Sequence, residues 1–183
     1  MSSRNKNLFY LVLAAMFLAL ALVLPFLTGQ IPQIGNMLCP MHIPVLLCGF
    51  FCGPLYGAVV GMIAPMLRFL LFGMPPLFPT GVAMCFELMV YGLVSGVLYR
   101  YLPKKPLNIY ISLGAAMLAG RVVWGVVRVI LYGVGKSEFG WAAFVSGAFT
   151  TAIPGIILQI VLIPILVMTV ARAVPSMREP QCK

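Results

Sequence analysis

The sequence predicts an all-α membrane protein with six transmembrane helices and both termini in the cytoplasm. Of its 183 residues, 62% are hydrophobic and only 8% are charged, whereas a soluble domain carries about 25% charged residues. Because these charged side chains are too few to cover a protein of this size in water, the predicted surrounding is the lipid bilayer. Each span needs roughly 20 apolar residues, so six spans in a single membrane domain, residues 1–183, leave only short loops and tails.

The positive charges indicate the orientation in the membrane. The net charge of +9 does not indicate a nucleic-acid partner, because Lys and Arg are scattered between apolar segments and form no continuous basic stripe. Lys and Arg in short loops instead mark the cytoplasmic side. By this rule only Lys136 falls in an outer loop, and the inner group is Arg4, Lys6, Arg100, Lys104, Lys105, Arg172, Arg178 and Lys183. This asymmetry places both chain termini in the cytoplasm.

The first three predicted spans cover about residues 8–27, 42–53 and 55–72. An uncharged loop, which contains prolines and glycines, follows the first span on the outer side. The next apolar stretch is long enough for two spans if the Gly53-Pro54 dipeptide turns the chain. The first span of that pair is unusually short.

The fourth, fifth and sixth spans are predicted at about residues 82–101, 107–132 and 141–171. The loop before the fourth span, GMPPLFPTG, is proline-dense and uncharged, which favours a stiff outer cap. The fourth span ends in the basic sequence PKKP, which favours a cytoplasmic end. The sixth span is longer than a bilayer requires, which indicates a tilt or a kink.

Four ionisable residues lie inside the predicted spans: Arg68, Glu87, Arg121 and Arg128. An ionised side chain at the membrane centre costs about 2.5–3.5 kcal/mol or more, so it normally faces a partner or a water-filled cavity. One interpretation is a structural salt bridge between Glu87 and Arg68. It leaves two arginines uncompensated, however, and an anionic ligand would supply the missing charge because guanidinium binds carboxylate or phosphate in a bidentate manner.

The fifth span presents both of its arginines on one helical face. Arg121 and Arg128 are two turns apart, with Trp124 between them. Trp124 is a candidate for stacking on a flat or apolar part of the ligand, although ordinary packing is the alternative for this side chain. Tyr91 and Gln159 are weaker polar candidates, and each has a structural role as its alternative.

Other motifs argue against catalysis and against a metal site. The sequence has no His-Glu-x-x-His pattern, no Gly-x-Ser-x-Gly elbow and no phosphate-binding loop, so we expect neither an enzyme nor ATP hydrolysis by this chain. The one histidine, His42, has no acidic neighbour in the sequence, which argues against metal binding.

The first span carries a pair of small residues. Ala15 and Ala19, four residues apart, allow close approach of another helix, with an internal contact as the alternative.

These features together resemble the substrate-binding S component of an energy-coupling factor transporter. The resemblance rests on the small six-span layout, the Ala15-x-x-x-Ala19 pattern, and the segments LVLPFLTGQIPQIG, TGQIPQIGNMLCP, MHIPVLLCGF and GMPPLFPTG. It implies high-affinity binding of a vitamin or related micronutrient in the outer half of a prokaryotic plasma-membrane protein. It also implies partners, a transmembrane coupling (T) protein and two cytoplasmic ATPases that use ATP, and docking through the small residues of the first span. The loaded subunit would topple on docking and deliver its substrate inward, with no cofactor of its own.

The resemblance does not identify the ligand, because the family recognises different compounds on one scaffold. It implies a site lined by outer loops and by the outer halves of spans four to six. Together with the charged residues above, the predicted ligand contacts are Asn36, Arg68, Glu87, Tyr91, Trp124, Arg121, Arg128 and Gln159. The arginines favour an anionic vitamin, with pantothenate first and folate, biotin, lipoate and niacin open.

Several alternatives stay open at this point. A neutral ligand such as riboflavin, a pyridoxine-like compound or a queuosine precursor is one, and a Glu87 left free by Arg68 would then accept hydrogen bonds from a heterocycle. A nickel or cobalt substrate is disfavoured because the N-terminus, MSSRNKNL, lacks histidine. The competing functions are a stand-alone secondary transporter, which the lack of sequence duplication disfavours, and a scaffold that binds no ligand.

Overall fold

The structure is a bundle of apolar α-helices. It is a computed structural model, and it describes residues 3–28, 38–103, 105–134 and 153–173. The helices in these ranges are α1 (Ser3–Val23), α2 (His42–Cys52), α3 (Pro54–Phe72), α4 (Val82–Tyr101), α5 (Pro106–Val134) and α6 (Ile153–Ala173), with short helical turns at Leu24–Thr28 and Leu77–Gly81. These described ranges contain no strand, which agrees with the predicted all-α class.

Five of the described helices, all except α2, are long and apolar enough to cross a membrane. Their positions follow the apolar stretches of the sequence. The count of six spans and the cytoplasmic position of both termini stay predictions. Residues 141–152 of the predicted sixth span lie outside the described residues.

The short helix α2 forms the centre of the bundle. Its 11 residues are all buried, against α1, α3 and α4. A helix of this length rises only about 16 Å, which is too short for a hydrocarbon core of roughly 30 Å. The predicted break between α2 and α3 lies at Gly53, whose φ of 95° is a conformation that glycine adopts without steric cost. The sequence therefore predicted both the break and the short helix.

Glycines bring α2, α3 and α4 into backbone contact. A methyl group on Gly92 of α4 would overlap the backbone of Gly57 on α3, and one on Gly57 would lie 2.8 Å from the Cα atom of Gly49 on α2. Both Gly57 and Gly92 begin Gly-x-x-x-Gly motifs, which end at Gly61 and Gly96. Motifs of this kind let membrane helices approach closely. The contacts among α2, α3 and α4 are thus built on glycine, and these motifs were not among the predictions made from the sequence.

The connections give the bundle two distinct ends. One end of the bundle is where residues 24–41 and residues 73–81 connect helices, and we call it the loop end. The contacts of Glu87 with His42, and of Arg128 with Thr80, show that α2 and α4 begin there and that α5 ends there. The opposite end carries the Gly53 turn and the connection between α4 and α5.

Candidate functional site

The polar side chains of three helices meet in a buried polar cluster near the loop end. It consists of Cys39, His42, Glu87, Tyr91 and Arg121, all buried. The Arg121 Nη1 atom lies 3.1 Å from Glu87 Oε1, and His42 Nε2 lies 3.6 Å from the same oxygen. The His42 and Tyr91 rings meet edge to face with centroids 5.2 Å apart, and Arg121 Nη2 donates to Cys39 Sγ at 3.7 Å.

The helix positions explain why these residues meet. His42 is the first residue of α2, and Glu87 lies one turn inside α4, so the parallel packing of these two helices brings the side chains together. Tyr91 follows Glu87 by one helical turn and shares its face. The Tyr91 ring lies against Gly120 of α5, where any side chain would collide with it. The next residue of α5 is Arg121, which completes the cluster.

The interpretation that Glu87 forms a salt bridge with Arg68 is wrong, because Glu87 pairs with Arg121. Arg68 is buried elsewhere, where its Nη1 atom donates a 2.7 Å hydrogen bond to the carbonyl oxygen of Leu22 near the end of α1. Its guanidinium also lies 5.5 Å and 5.6 Å from the ring centroids of Phe26 and Phe72. Arg68 was predicted to contact ligand, but its described contacts are with Leu22 in α1, with Phe26 in the turn after α1, and with Phe72 of its own helix. All three lie outside the buried polar cluster.

A second group of side chains surrounds Arg128. The Nη2 atom of Arg128 donates a 2.9 Å hydrogen bond to the hydroxyl of Thr80, in the turn that precedes α4. The guanidinium lies 4.8 Å from the Trp124 ring centroid and 5.6 Å from that of Tyr132. The predicted alignment of Arg121, Trp124 and Arg128 along α5 is therefore present, and Arg128 itself stacks on Trp124.

Of the two remaining predicted ligand contacts, one is buried on α6 and the other lies outside the described residues. Gln159 is buried on α6, and its Oε1 atom has no hydrogen-bond partner within the described ranges. Asn36 lies outside the described residues. Nothing in the structure tests ligand contact by any of the eight residues, so their binding roles stay predictions.

The small residues of α1 face outward. Ala15 and Ala19 are exposed, whereas Ala14, Phe17 and Ala21 are buried on the inner face of the helix. The alternative in which Ala15 and Ala19 make an internal contact is therefore wrong for the described part of the chain. The pair lies on a surface that lipid or another membrane protein can cover.

His42 was not among the predicted site residues. No acidic residue lies near it in the sequence, but folding brings Glu87 to it from a different helix. The available signal was a lone histidine at the start of an otherwise apolar helix, which is costly to bury without a polar partner. The described residues contain no group of three or more His, Cys, Asp or Glu side chains placed to hold a metal ion.

Comparison with known proteins gives one clear result. A family model described as "ECF transporter, substrate-specific component" matches residues 9–167, from α1 into α6, and so includes both polar groups. No curated protein and no solved structure matches the chain. Members of this family are multi-pass membrane subunits of a transporter rather than enzymes, and they act on a small-molecule substrate together with T and ATPase partners. The predicted resemblance is confirmed, and the chain belongs to the substrate-specific components of ECF transporters.

Proposed function

We propose that this subunit captures an acidic vitamin or related micronutrient at the outer face of a prokaryotic plasma membrane and releases it inward after docking. The docking partners are the T protein and two cytoplasmic ATPases, which use ATP, while this chain holds no cofactor of its own. Pantothenate is the first candidate substrate. The observation that carries the proposal is the position of Arg128, stacked on Trp124 beside the Thr80 hydroxyl at the loop end.

The distribution of basic residues supports an outward-facing loop end. Arg100 and Lys105 flank the connection between α4 and α5, at the opposite end of the bundle. Basic residues in short connections mark the cytoplasmic side. At the loop end, the connections at residues 28–41 and 73–81 contain no Lys or Arg, and the sequence between α5 and α6 contains one, Lys136. The loop end, with both polar groups, then faces the exterior, from which a substrate arrives.

The chemistry of Arg128 supports an acidic substrate. Arg121 has a countercharge in Glu87, so this arginine adds little net attraction for an anion. The described contacts of Arg128 include a neutral hydroxyl and two aromatic rings. A guanidinium presents a planar set of N–H donors, which suits bidentate binding of a carboxylate or phosphate.

Replacing Arg128 with alanine should weaken substrate binding by about thirtyfold or more. Truncating one partner of a buried hydrogen-bonded charge pair costs about 2 kcal/mol or more, and every 1.4 kcal/mol is a factor of about ten. The substrate is first identified by native mass spectrometry of the protein extracted in mild detergent, and its affinity is then measured for both proteins. Arg100→Ala, at the opposite end, is the control and should bind normally. A neutral co-purifying compound whose affinity is the same in Arg128→Ala would contradict the acidic-substrate proposal.

Replacing Ala19 with leucine should prevent assembly and leave substrate binding intact. Ala19 lies on the exposed face of α1, and a larger side chain there holds a partner helix away. Co-purification of the T protein and ATPases measures assembly, and Val122→Leu, on an exposed face of α5, is the matched control. Normal assembly of the Ala19 variant would rule out this docking surface. Uphill transport by the purified chain alone in vesicles would instead favour a secondary transporter.

A further inference from the structure

The buried polar cluster contains several polar atoms without a hydrogen-bond partner among the described residues. They are His42 Nδ1 and Nε2, Glu87 Oε1, Tyr91 Oη and Arg121 Nε. The Arg121 and Glu87 side chains are close enough to form an ion pair, but the two nearest atoms are not aligned as a hydrogen bond. Leaving a buried donor or acceptor unsatisfied costs about 1–3 kcal/mol, and native proteins satisfy most such groups. A cluster with this much unused hydrogen-bonding capacity is suited to binding a polar group.

The charges of the cluster define what kind of group fits. Glu87 is 1% exposed and Arg121 is 7% exposed, so the two opposite charges are held side by side in the interior. A carboxylate beside Arg121 would also lie near the Glu87 carboxylate and be repelled by it. A cation beside Glu87 would be repelled by Arg121 in the same way. A group without net charge avoids both penalties.

The free atoms require that this uncharged group both donate and accept. Glu87 Oε1 can only accept a hydrogen bond, and Arg121 Nε can only donate one. Tyr91 and His42 can each donate or accept a hydrogen bond. Because the donor and the acceptor belong to paired side chains, the matching N–H and carbonyl groups of a ligand must also lie next to each other.

We propose that the buried polar cluster binds the edge of a cyclic amide or ureide, in which an N–H and a carbonyl lie side by side. The N–H donates to Glu87 Oε1, and the carbonyl oxygen accepts from Arg121 Nε. Tyr91 and His42 complete the binding site. This inference rests on the proposed function only in that the chain binds a small molecule, since it concerns a different part of that molecule from the acidic group assigned to Arg128. It argues against pantothenate as the substrate, because the amide of pantothenate is open-chain and places its N–H and carbonyl on opposite sides.

The two parts of the substrate are separated along α5. Arg121 and Arg128 are seven residues apart, which corresponds to about 10 Å of helix rise. Minimal probes of each part can therefore be tested independently. Uracil supplies the amide-type edge without charge, dimethyluracil has both ring N–H groups blocked by methyl groups, and acetate supplies a carboxylate alone.

Ligand-observed NMR on the purified protein in detergent, by saturation transfer, measures the binding of each probe. We expect uracil to bind at least about tenfold more tightly than dimethyluracil, a difference of about 1.4 kcal/mol. Repeating the measurements with Arg128→Ala separates the two proposals. In this variant the preference for uracil over dimethyluracil should persist, while the binding of acetate should be lost. If acetate binding is lost in Arg128→Ala but uracil is not preferred, only the proposed function is supported. If uracil is preferred but acetate binding does not depend on Arg128, only the cluster proposal is supported.

Tyr91→Phe tests the assignment to the cluster while removing only a hydroxyl group. We expect uracil binding to weaken about fivefold to tenfold, in line with the loss of one hydrogen bond. Tyr99→Phe, two turns further along α4 and also buried, is the matched control and should bind uracil normally. The proposal is overturned if uracil does not bind, if dimethyluracil binds equally well, if acetate binds Arg128→Ala as tightly as uracil does, or if Tyr91→Phe has no effect.

Discussion

Replacing Gly92 with alanine should destabilise the bundle by at least about 3 kcal/mol, the upper end of the usual range for overpacking. The added methyl group would overlap the backbone of Gly57. Backbone atoms cannot rotate away as a flexible side chain can, so α3 and α4 would have to separate. These two helices share the most extensive contact of the described bundle, and their separation would also move Glu87 away from its partners.

The matched control for this prediction is Gly114→Ala on α5. A methyl group at Gly114 would have no neighbouring atom within 4 Å. Alanine favours a helix over glycine by up to about 1 kcal/mol, so this variant should be neutral or slightly stabilised. Thermal unfolding in detergent, with the fraction of monodisperse protein as a second readout, compares the two variants. Equal stability of Gly92→Ala and Gly114→Ala would show that the backbones are not in contact at Gly92.

Neutralising Glu87 alone should destabilise the protein by about 3–5 kcal/mol. Glu87→Gln leaves Arg121 as a buried charge without its carboxylate, and breaking a buried pair on one side has a cost of this size. Arg121→Gln should have a similar effect for the opposite charge. The double variant removes both charges together. Its loss of stability should therefore be smaller than the sum of the losses in the two single variants.

A double-mutant cycle measures this coupling directly. The free energies of unfolding of the wild type, both single variants and the double variant give the interaction energy of the pair. We expect a coupling of about 1–3 kcal/mol between Glu87 and Arg121. The same cycle with Arg68→Gln in place of Arg121→Gln is the control, because Arg68 contacts Leu22 instead. Additive effects for Glu87 and Arg121, or coupling of Glu87 to Arg68, would contradict the observed pairing.

The sequence predicted the helices better than their contacts. Hydropathy placed the apolar segments, and the Gly53-Pro54 dipeptide marked the end of the short α2, because these features are local in the chain. Helical spacing also placed Arg121 and Arg128 correctly on one face of α5. Spacing within one helix says nothing of which other helix that face meets, so the choice between Arg68 and Arg121 as the partner of Glu87 required the three-dimensional packing.

The glycine contacts between helices were also not predicted from the sequence, for a different reason. The Gly-x-x-x-Gly motifs that begin at Gly57 and Gly92 are visible in the sequence, but close helix contact was predicted only for the Ala15 and Ala19 pair. The structure shows that the glycine motifs form the interior, whereas the alanine pair lies on the exterior. Small residues at this spacing indicate close approach of a helix, but they do not tell whether that helix belongs to the same chain.

The shortness of α2 also constrains how the protein is made. An apolar segment of 11 residues falls in the length range of buried core helices rather than of independent membrane spans. We therefore expect α2 to enter the bilayer together with α3, as a hairpin about Gly53. The chain is synthesised from its N-terminus onwards, so α2 cannot be fully enclosed until α4 has been made. Arg121 is synthesised later still, which makes the buried polar cluster one of the last parts of the described bundle to be completed.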